Sequence, residues 1–495
     1  MTDSVRRLAP LFVAAVTLAV LSPVLTYQWV ATWDDAVFIL GNRHVQTWDW
    51  WWMATTQWYG HWMPLTWLSF VANHALFGFD PWSWHAVNLG LHAASTLLFY
   101  GLARHLVGSV TGAVFAALLW GIHPLRMESV AWISERKDVV MGVFFVGSAL
   151  LWVQGRRWWS LAAFIGACLS KSPAVILPAM LVALDWYRFR ALPSRERWAH
   201  AWRLWPFVSV GVVVSAMAFW SLHTILVSIP WSVVPLGPRL LHMAYSEVWY
   251  ALQTIWPARL SGLIEYTWAP SWDQPQYPIA VAAVLIAAWL LWVTRHEWPA
   301  PTAAALAYTV AVLPQSGLFQ NGPQLVANRY SYLAALPLAL LAGAGLTRLG
   351  ARWPAVSHTA AAGVLAALAA VTLINLPMWR DGDAMWRYAA DHEPTCTQCQ
   401  DMAAAADLRH GQIASALRRQ EQAILVSATT AYPRWERHWN MAAILMLLPD
   451  RRDDAIRALR TYLAAGDAAG RDTEVDRDHM MRARVALGHL EAHRP

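Results

Sequence analysis

The stretch Ser109–Val153, SVTGAVFAALLWGIHPLRMESVAWISERKDVVMGVFFVGSALLWV, sets the reading of the whole chain. Two apolar runs, 109–122 and 139–153, frame a link, His123–Asp138, in which five charges lie between Glu128 and Asp138. Apolar runs partition into lipid, while ionised side chains are costly inside a bilayer and gather at span ends. The stretch therefore reads as two membrane helices joined at one membrane face by a link dense in ionisable groups. Taken alone, that link is equally an ordinary interfacial loop. A transport pathway, however, would place its charges at mid-span, so charges at span ends suit surface chemistry.

Composition extends this reading outward. The 495 residues are 57% hydrophobic and 14% charged, against about 25% charged in soluble proteins. Residues 377–495 hold 33 of the 68 charged residues, with 16 Lys+Arg against 17 Asp+Glu, while residues 1–376 hold 21 against 14. The chain thus divides into a lipid-embedded part, 1–376, and a water-soluble part, 377–495. The net charge of +6 belongs to the membrane part and reads as a topology signal; no basic patch suits a nucleic acid. Among 34 tryptophans, Trp48, Trp50–Trp52 and Trp158–Trp159 suit the headgroup level, where an indole is half apolar and half wet.

Spanning helices need roughly 20 apolar residues. Eleven spans are expected, at 8–26, 86–106, 109–122, 139–153, 158–170, 173–187, 205–228, 278–294, 302–318, 333–349 and 358–376, the third to sixth short enough to be tilted or interfacial. Alternate connections concentrate arginines, among them Arg6, Arg7, Arg104, Arg156, Arg157, Arg188 and Arg190. By the positive-inside rule these lie in the cytoplasm, so the N-terminus is inside and, with an odd span count, the tail is outside. The outer loops 27–85 and about 229–277 are then the long ones, and long loops in compact assemblies are usually functional.

The tail shows alanine-rich amphipathic helices at Met402–Leu408, Gln412–Val426, Trp439–Leu448, Asp454–Ala465 and His479–Ala492. Ala416 and Ala455 occupy matching places 39 residues apart, close to the tetratricopeptide period of about 34, and Pro433 stands where such a repeat ends. A plain helical bundle is the alternative. Cys396 and Cys399 lack both a βαβ context and a second ligand pair, so a local disulfide in an oxidising compartment leads over redox or zinc readings. The expected fold class is all-α: a polytopic helical bundle followed by a small soluble helical domain.

Candidate chemistry lies on the outer side. Asp34 and Asp35 follow the first span; as neighbours in an aromatic setting they suit a general base with a raised pKa, or simply a solvated pair or helix cap. Glu128, Arg136 and Lys137 lie in the His123–Asp138 link, Lys171 at another outer connection, and Arg329 and Tyr330 before the tenth span. Cations and carboxylates converging on one face suit a substrate with a phosphate and an oxygen nucleophile. His85, Asn88 and His92 fall near one helical face, more simply a buried hydrogen-bonding strip than a metal site shared with His123.

The acidic pair, then Met63-Pro64-Leu65-Thr66, then Trp84-His85-x2-Asn88-x3-His92, then His123-Pro124-x3-Glu128-Ser129-Val130-Ala131, then Asn328-Arg329-Tyr330 form an ordered set. It resembles the transmembrane-and-tetratricopeptide-repeat O-mannosyltransferases and their bacterial relatives, within the GT-C glycosyltransferases. The resemblance covers the first half and Arg329-Tyr330; the middle spans match only in hydropathy. It implies a GT-C bundle in a bacterial cytoplasmic membrane with a periplasmic repeat domain. It further implies transfer of a sugar, mannose foremost, from a polyprenyl-phosphate carrier to an acceptor hydroxyl of protein Ser/Thr. Asp35 takes the place of the base with Asp34 beside it, and Glu128 that of the second-loop acid. Arg329, Lys171, Arg136 and Lys137 would hold the donor phosphate, supported by His123, His85, Asn88, His92 and Tyr330. No cofactor is required, with a divalent cation on Asp34, Asp35 or Glu128 left open. An oligosaccharide ligase or glycan-modifying transferase of the same fold, and a non-catalytic scaffold, are the competing readings.

Overall fold

A computed structural model describes residues 3–224, 231–232, 234–319, 322–430, 434–469 and 474–492. The end of the seventh expected span and Pro433 lie outside these residues. The described chain is helical, apart from a two-stranded sheet pairing Ile264–Glu265 with Gln324–Val326. It forms two compact units. The first comprises Met1–Leu260, Pro270–Gly322 and Val326–Gly382; the second comprises Ser261–Ala269, Pro323–Leu325 and Asp383–Pro495.

In the first unit five helices are long and apolar enough to cross a membrane: Arg6–Thr26, Pro81–Val107, Gln276–Thr294, Asn328–Arg352 and Pro354–Trp379. Two bent pairs, Val110–Gly121 with Pro124–Ala131 and Ser194–Trp202 with Trp205–Phe219, raise the number to seven. By length and composition, five to seven of the expected spans therefore qualify among the described residues. Helices Arg157–Ser170, Leu177–Arg188 and Pro299–Val312 have 14, 12 and 14 residues, only about 20 Å at 1.5 Å per residue. Helix Arg136–Val153 has 18, but its first turn is charged. Trp51 and Trp159 are 79% and 71% exposed, as interfacial aromatics should be.

Local sequence fixes the breaks. His123 caps the turn after Gly121, its Nδ1 accepting from Leu125 N at 3.2 Å, and Pro124 starts a new helix where its missing N–H costs nothing. The pair bends by 52° here, folding Glu128–Asp138 back as buried structure in place of a solvated loop. In the histidine strip, His92 lies 2.9 Å from the Tyr332 hydroxyl and 2.8 Å from Gly121 O. His85 sets its ring edge-on to Tyr27.

The second unit stacks helices Gly382–His392, Thr397–Arg409, Ile413–Ser427, Glu436–Leu445, Arg452–Ala469 and Glu474–Ala492, successive helices packing on one another from Thr397 onward. Its cores bury Ala404, Ala416 and Ile444, and Ala442, Ala455, Leu459 and Tyr462. Ala416 and Ala455, aligned in the sequence, are both fully buried. Cys396 and Cys399 are disulfide-bonded. Glu265, from the second long loop, accepts from Thr397 N and Oγ, which ties that loop segment into the helical unit.

Candidate functional site

The site grows from the break between the Met127–Ala131 and Arg136–Val153 helices. Asn88 donates toward the carbonyls of Val130, Trp132 and Ile133 at 3.4–3.5 Å, pinning the link. Arg136 and Lys137, adjacent in sequence, then diverge. The Arg136 guanidinium is wholly buried, donating to Asn88 Oδ1 at 2.7 Å, Trp84 O at 2.8 Å and Ser69 O at 3.3 Å. Three of its five N–H donors are used in this way, and none of its hydrogen bonds goes to a carboxylate of the network around Lys137. Lys137 turns the other way, 3.0 Å from Glu135 and 3.9 Å from Asp34.

Around Lys137 an ionic network closes. Lys171 Nζ lies 2.6 Å from Asp138 and 3.2 Å from Glu135. Arg329 Nη1 bonds Glu128 Oε1, its Nε lies 3.3 Å from Glu135, and its backbone N–H donates to Glu128 Oε2 at 2.9 Å. Trp132 faces both Lys137 and Arg329, and Phe38 faces Lys137. Tyr330 stacks near the Arg329 guanidinium, 4.8 Å from its centre. His123 Nε2 lies 3.0 Å from Thr254 O and acts as a brace.

Four carboxylates (Asp34, Glu128, Glu135, Asp138) thus meet three cations (Lys137, Lys171, Arg329), and with Asp35, Arg126 and Arg136 nearby the region holds five charges of each sign, all buried except Asp34. Such a concentration of buried charge is tolerable because it is balanced and hydrogen-bonded. Burial opposes ionisation of Glu135, but Lys137, Lys171 and Arg329 more than offset it and hold its carboxyl well below the usual range. Burial likewise opposes charge on Lys171, and Asp138 and Glu135 overcome it, raising the ammonium pKa.

The acidic pair also divides. Asp35 is fully buried: its Oδ2 accepts from Val30 N at 2.8 Å and its Oδ1 from Ser134 N at 2.9 Å and from Ser134 Oγ. Burial pushes its pKa up to about 6 despite these bonds. Asp35 is a latch that fastens the first loop to the second. Asp34 keeps 30% of its side chain exposed beside Lys137, and burial of the rest raises its pKa as well, with Lys137 opposing. Asp34 is therefore the accessible carboxylate.

Residues not singled out in the sequence complete the site. Arg126 stacks between Trp120 and Tyr332 and donates to Ser331 Oγ. Tyr250, fully buried, accepts from Ala327 N at 3.3 Å and steadies the approach to Arg329. Arg126 and Ser134 sat in the charged link and were findable there; nothing in the sequence pattern marked Tyr250. Among the described residues no group of three or more His, Cys, Asp or Glu side chains is arranged to hold a metal ion.

Fold and cluster define a multi-pass, all-helical membrane protein with an ionic site at the ends of its helices. Parts of the chain are similar to proteins named protein O-mannosyl-transferases. With TMTC2 of Mus musculus it is 32% identical over 169 residues, covering 32% of this chain and 20% of that protein. With tmtc2 of Xenopus laevis it is 37% identical over 145 residues, covering 27% and 17%. With Tmtc1 of Drosophila melanogaster it is 34% identical over 124 residues, covering 24% and 14%. The chain therefore matches a fifth or less of the length of these relatives, and the partial homology supports that family. No family profile matches the chain, and no solved structure does.

Proposed function

We propose that this chain is a membrane glycosyltransferase that moves a sugar, mannose foremost, from a polyprenyl-phosphate carrier to a Ser or Thr hydroxyl of a protein. The reaction takes place at the outer face of a bacterial cytoplasmic membrane. The observation that carries this reading is Asp34: a partly exposed carboxylate with a raised pKa, at the rim of an otherwise buried, charge-balanced cluster. A deprotonated Asp34 takes the proton of the acceptor hydroxyl as its oxygen bonds the anomeric carbon. The bond from that carbon to the phosphate oxygen breaks, and the electron pair leaves with the carrier phosphate.

Lys137, Lys171 and Arg329 are the cations positioned to meet that growing charge. Each is already oriented by Glu128, Glu135 or Asp138, so little reorganisation is needed when the phosphate arrives. Asp35 holds the Asp34 backbone in place and Glu128 orients Arg329. The stacked helices of the second unit suit a tetratricopeptide-like surface that presents the acceptor polypeptide.

Reconstitution tests the reading. Purified protein in lipid nanodiscs, given polyprenyl-phosphate-mannose and a Ser/Thr-rich peptide, should glycosylate the peptide, and Asp34→Asn should lower the rate by about two to four orders of magnitude. Absence of transfer from this donor to any peptide or glycan acceptor, by a protein that stays folded, would refute it.

A further inference from the structure

The Arg136–Val153 helix leaves the ionic cluster at its first turn. At 1.5 Å per residue, Trp152 stands about 24 Å from Arg136 along it. That distance approaches the roughly 30 Å of a bilayer's hydrocarbon core, so the far end of the helix lies near the opposite membrane surface. There Trp152 Nε1 donates to Asp185 Oδ2 at 3.0 Å. Arg188 Nη1 lies 3.5 Å from Asp185 Oδ1, and its Nη2 donates to Val153 O at 3.3 Å. These bonds occupy the buried Asp185 carboxylate and fix the end of the Leu177–Arg188 helix.

A cleft of about 280 Å³ opens between this helix and the Ser194–Trp202 helix. Each side offers it one stripe at i, i+3, i+4 and i+7, the spacing of a single helical face. Val182, Asp185, Trp186 and Phe189 form the first. Ser194, Arg197, Trp198 and Ala201 form the second. Phe189 stacks on His200, ring centroids 4.1 Å apart, and clamps the two sides together. With Asp185 already bonded, the cleft is a mainly apolar slot with one guanidinium, Arg197, on its wall. Arg190, Arg195 and Arg203 are exposed around it, and among the described residues none of these four arginines pairs with a carboxylate. Trp198, Trp202 and Trp205 are 69%, 71% and 57% exposed, the placing of indoles at a headgroup layer.

An apolar slot, a rim of unpaired cations and indoles at the same level match an amphiphile with an acidic head. We infer that the cleft binds a glycerophospholipid of net negative headgroup, in the leaflet opposite the ionic cluster. Its phosphate lies at Arg197 and part of one acyl chain lies between the two stripes. An apolar cavity of about 150 Å³ takes a benzene. The 280 Å³ here therefore holds a stretch of one chain on the order of ten carbons, and the remainder stays in the bilayer. Arginines that no protein carboxylate neutralises favour an acidic head; a zwitterionic head brings its own ammonium and gains less. This site stands whether or not the chain transfers a sugar, because none of its residues belongs to the ionic cluster.

Native mass spectrometry of the full-length protein in detergent tests this, with phosphatidylglycerol, phosphatidylcholine and polyprenyl phosphate added singly and in pairs. Wild type should retain phosphatidylglycerol over phosphatidylcholine, and salt should narrow the difference. Arg197→Gln removes one charge at a partly exposed position and should weaken phosphatidylglycerol binding about fivefold. Ala201→Phe fills the slot, keeps every arginine and should weaken it as well. Arg352→Gln removes an exposed arginine at the end of the Ser331–Arg352 helix and should bind as wild type does. Equal retention of phosphatidylglycerol and phosphatidylcholine by wild type, or preference for polyprenyl phosphate, would overturn the inference. So would equal losses in Arg197→Gln and Arg352→Gln, or wild-type affinity in both Arg197→Gln and Ala201→Phe.

Discussion

Replacing the two acidic neighbours one at a time separates a latch from a base. Asp35→Asn keeps the shape of the buried side chain, but its amide must turn an N–H₂ toward Val30 N–H or toward Ser134, donor against donor. A buried group left unsatisfied costs about 1–3 kcal/mol. The ionisable group also carries a pH signature. Asp35 rises from an ordinary 3.8 to about 6, so between these values the native protein keeps a proton that the unfolded chain has released. Native stability is therefore greatest below the window and falls as pH climbs through it, by about 3 kcal/mol at 1.36 kcal/mol per pKa unit. Asp35→Asn cannot ionise, and its stability relative to wild type should be lower by about 1–3 kcal/mol at pH 4 and should recover by pH 7. Asp34→Asn should leave stability nearly untouched and lower transfer by about two to four orders of magnitude. Denaturation midpoints from pH 4 to 7, paired with transfer rates, check both. If Asp35→Asn shows the wild-type pH slope and Asp34→Asn retains transfer, the assignment of latch and base is wrong.

Other outcomes follow from the same geometry. Arg329→Ala leaves Glu128 and Glu135 buried without their shared partner, a loss of about 3–5 kcal/mol, so both the unfolding midpoint and carrier-lipid binding should fall. Arg329→Lys keeps the charge but not the two-carboxylate fork and should fall between wild type and alanine in binding. Lys171→Met should destabilise the protein, and adding Asp138→Asn should restore part of the loss, a coupling read from a double-mutant cycle in thermal unfolding. Because burial raises the Asp34 pKa, the transfer rate should rise with pH on its acid side, with a midpoint above that of an ordinary aspartate; a flat profile from pH 4 to 7 would remove a titrating carboxylate from the rate-limiting step.

Much of this protein was legible in its residues because solvent acts on local composition. Where charges are sparse the chain goes into lipid, and where they reach ordinary density, from residue 377 onward, it forms helices for water. The charged link between two apolar runs pointed to the ionic cluster now seen at the helix ends, and Ala416 and Ala455, matched in the sequence, are both buried. Hydropathy by itself does not tell a short helix buried among others from one that crosses alone. Finer assignments were beyond the sequence. Arg136 and Lys137 are neighbours, and about 100° of helical rotation separates them; which of them faces Asn88 and which faces Glu135 is set by how the helix is turned against its partners. The same holds for Asp34 and Asp35, where one carboxylate is consumed by Ser134, 99 residues away. Asp185 is likewise occupied only because packing brings Trp152 to it across 33 residues. Composition fixes which solvent each segment seeks, but the direction of a side chain depends on rotation and register between helices far apart in the chain, and packing alone decides those.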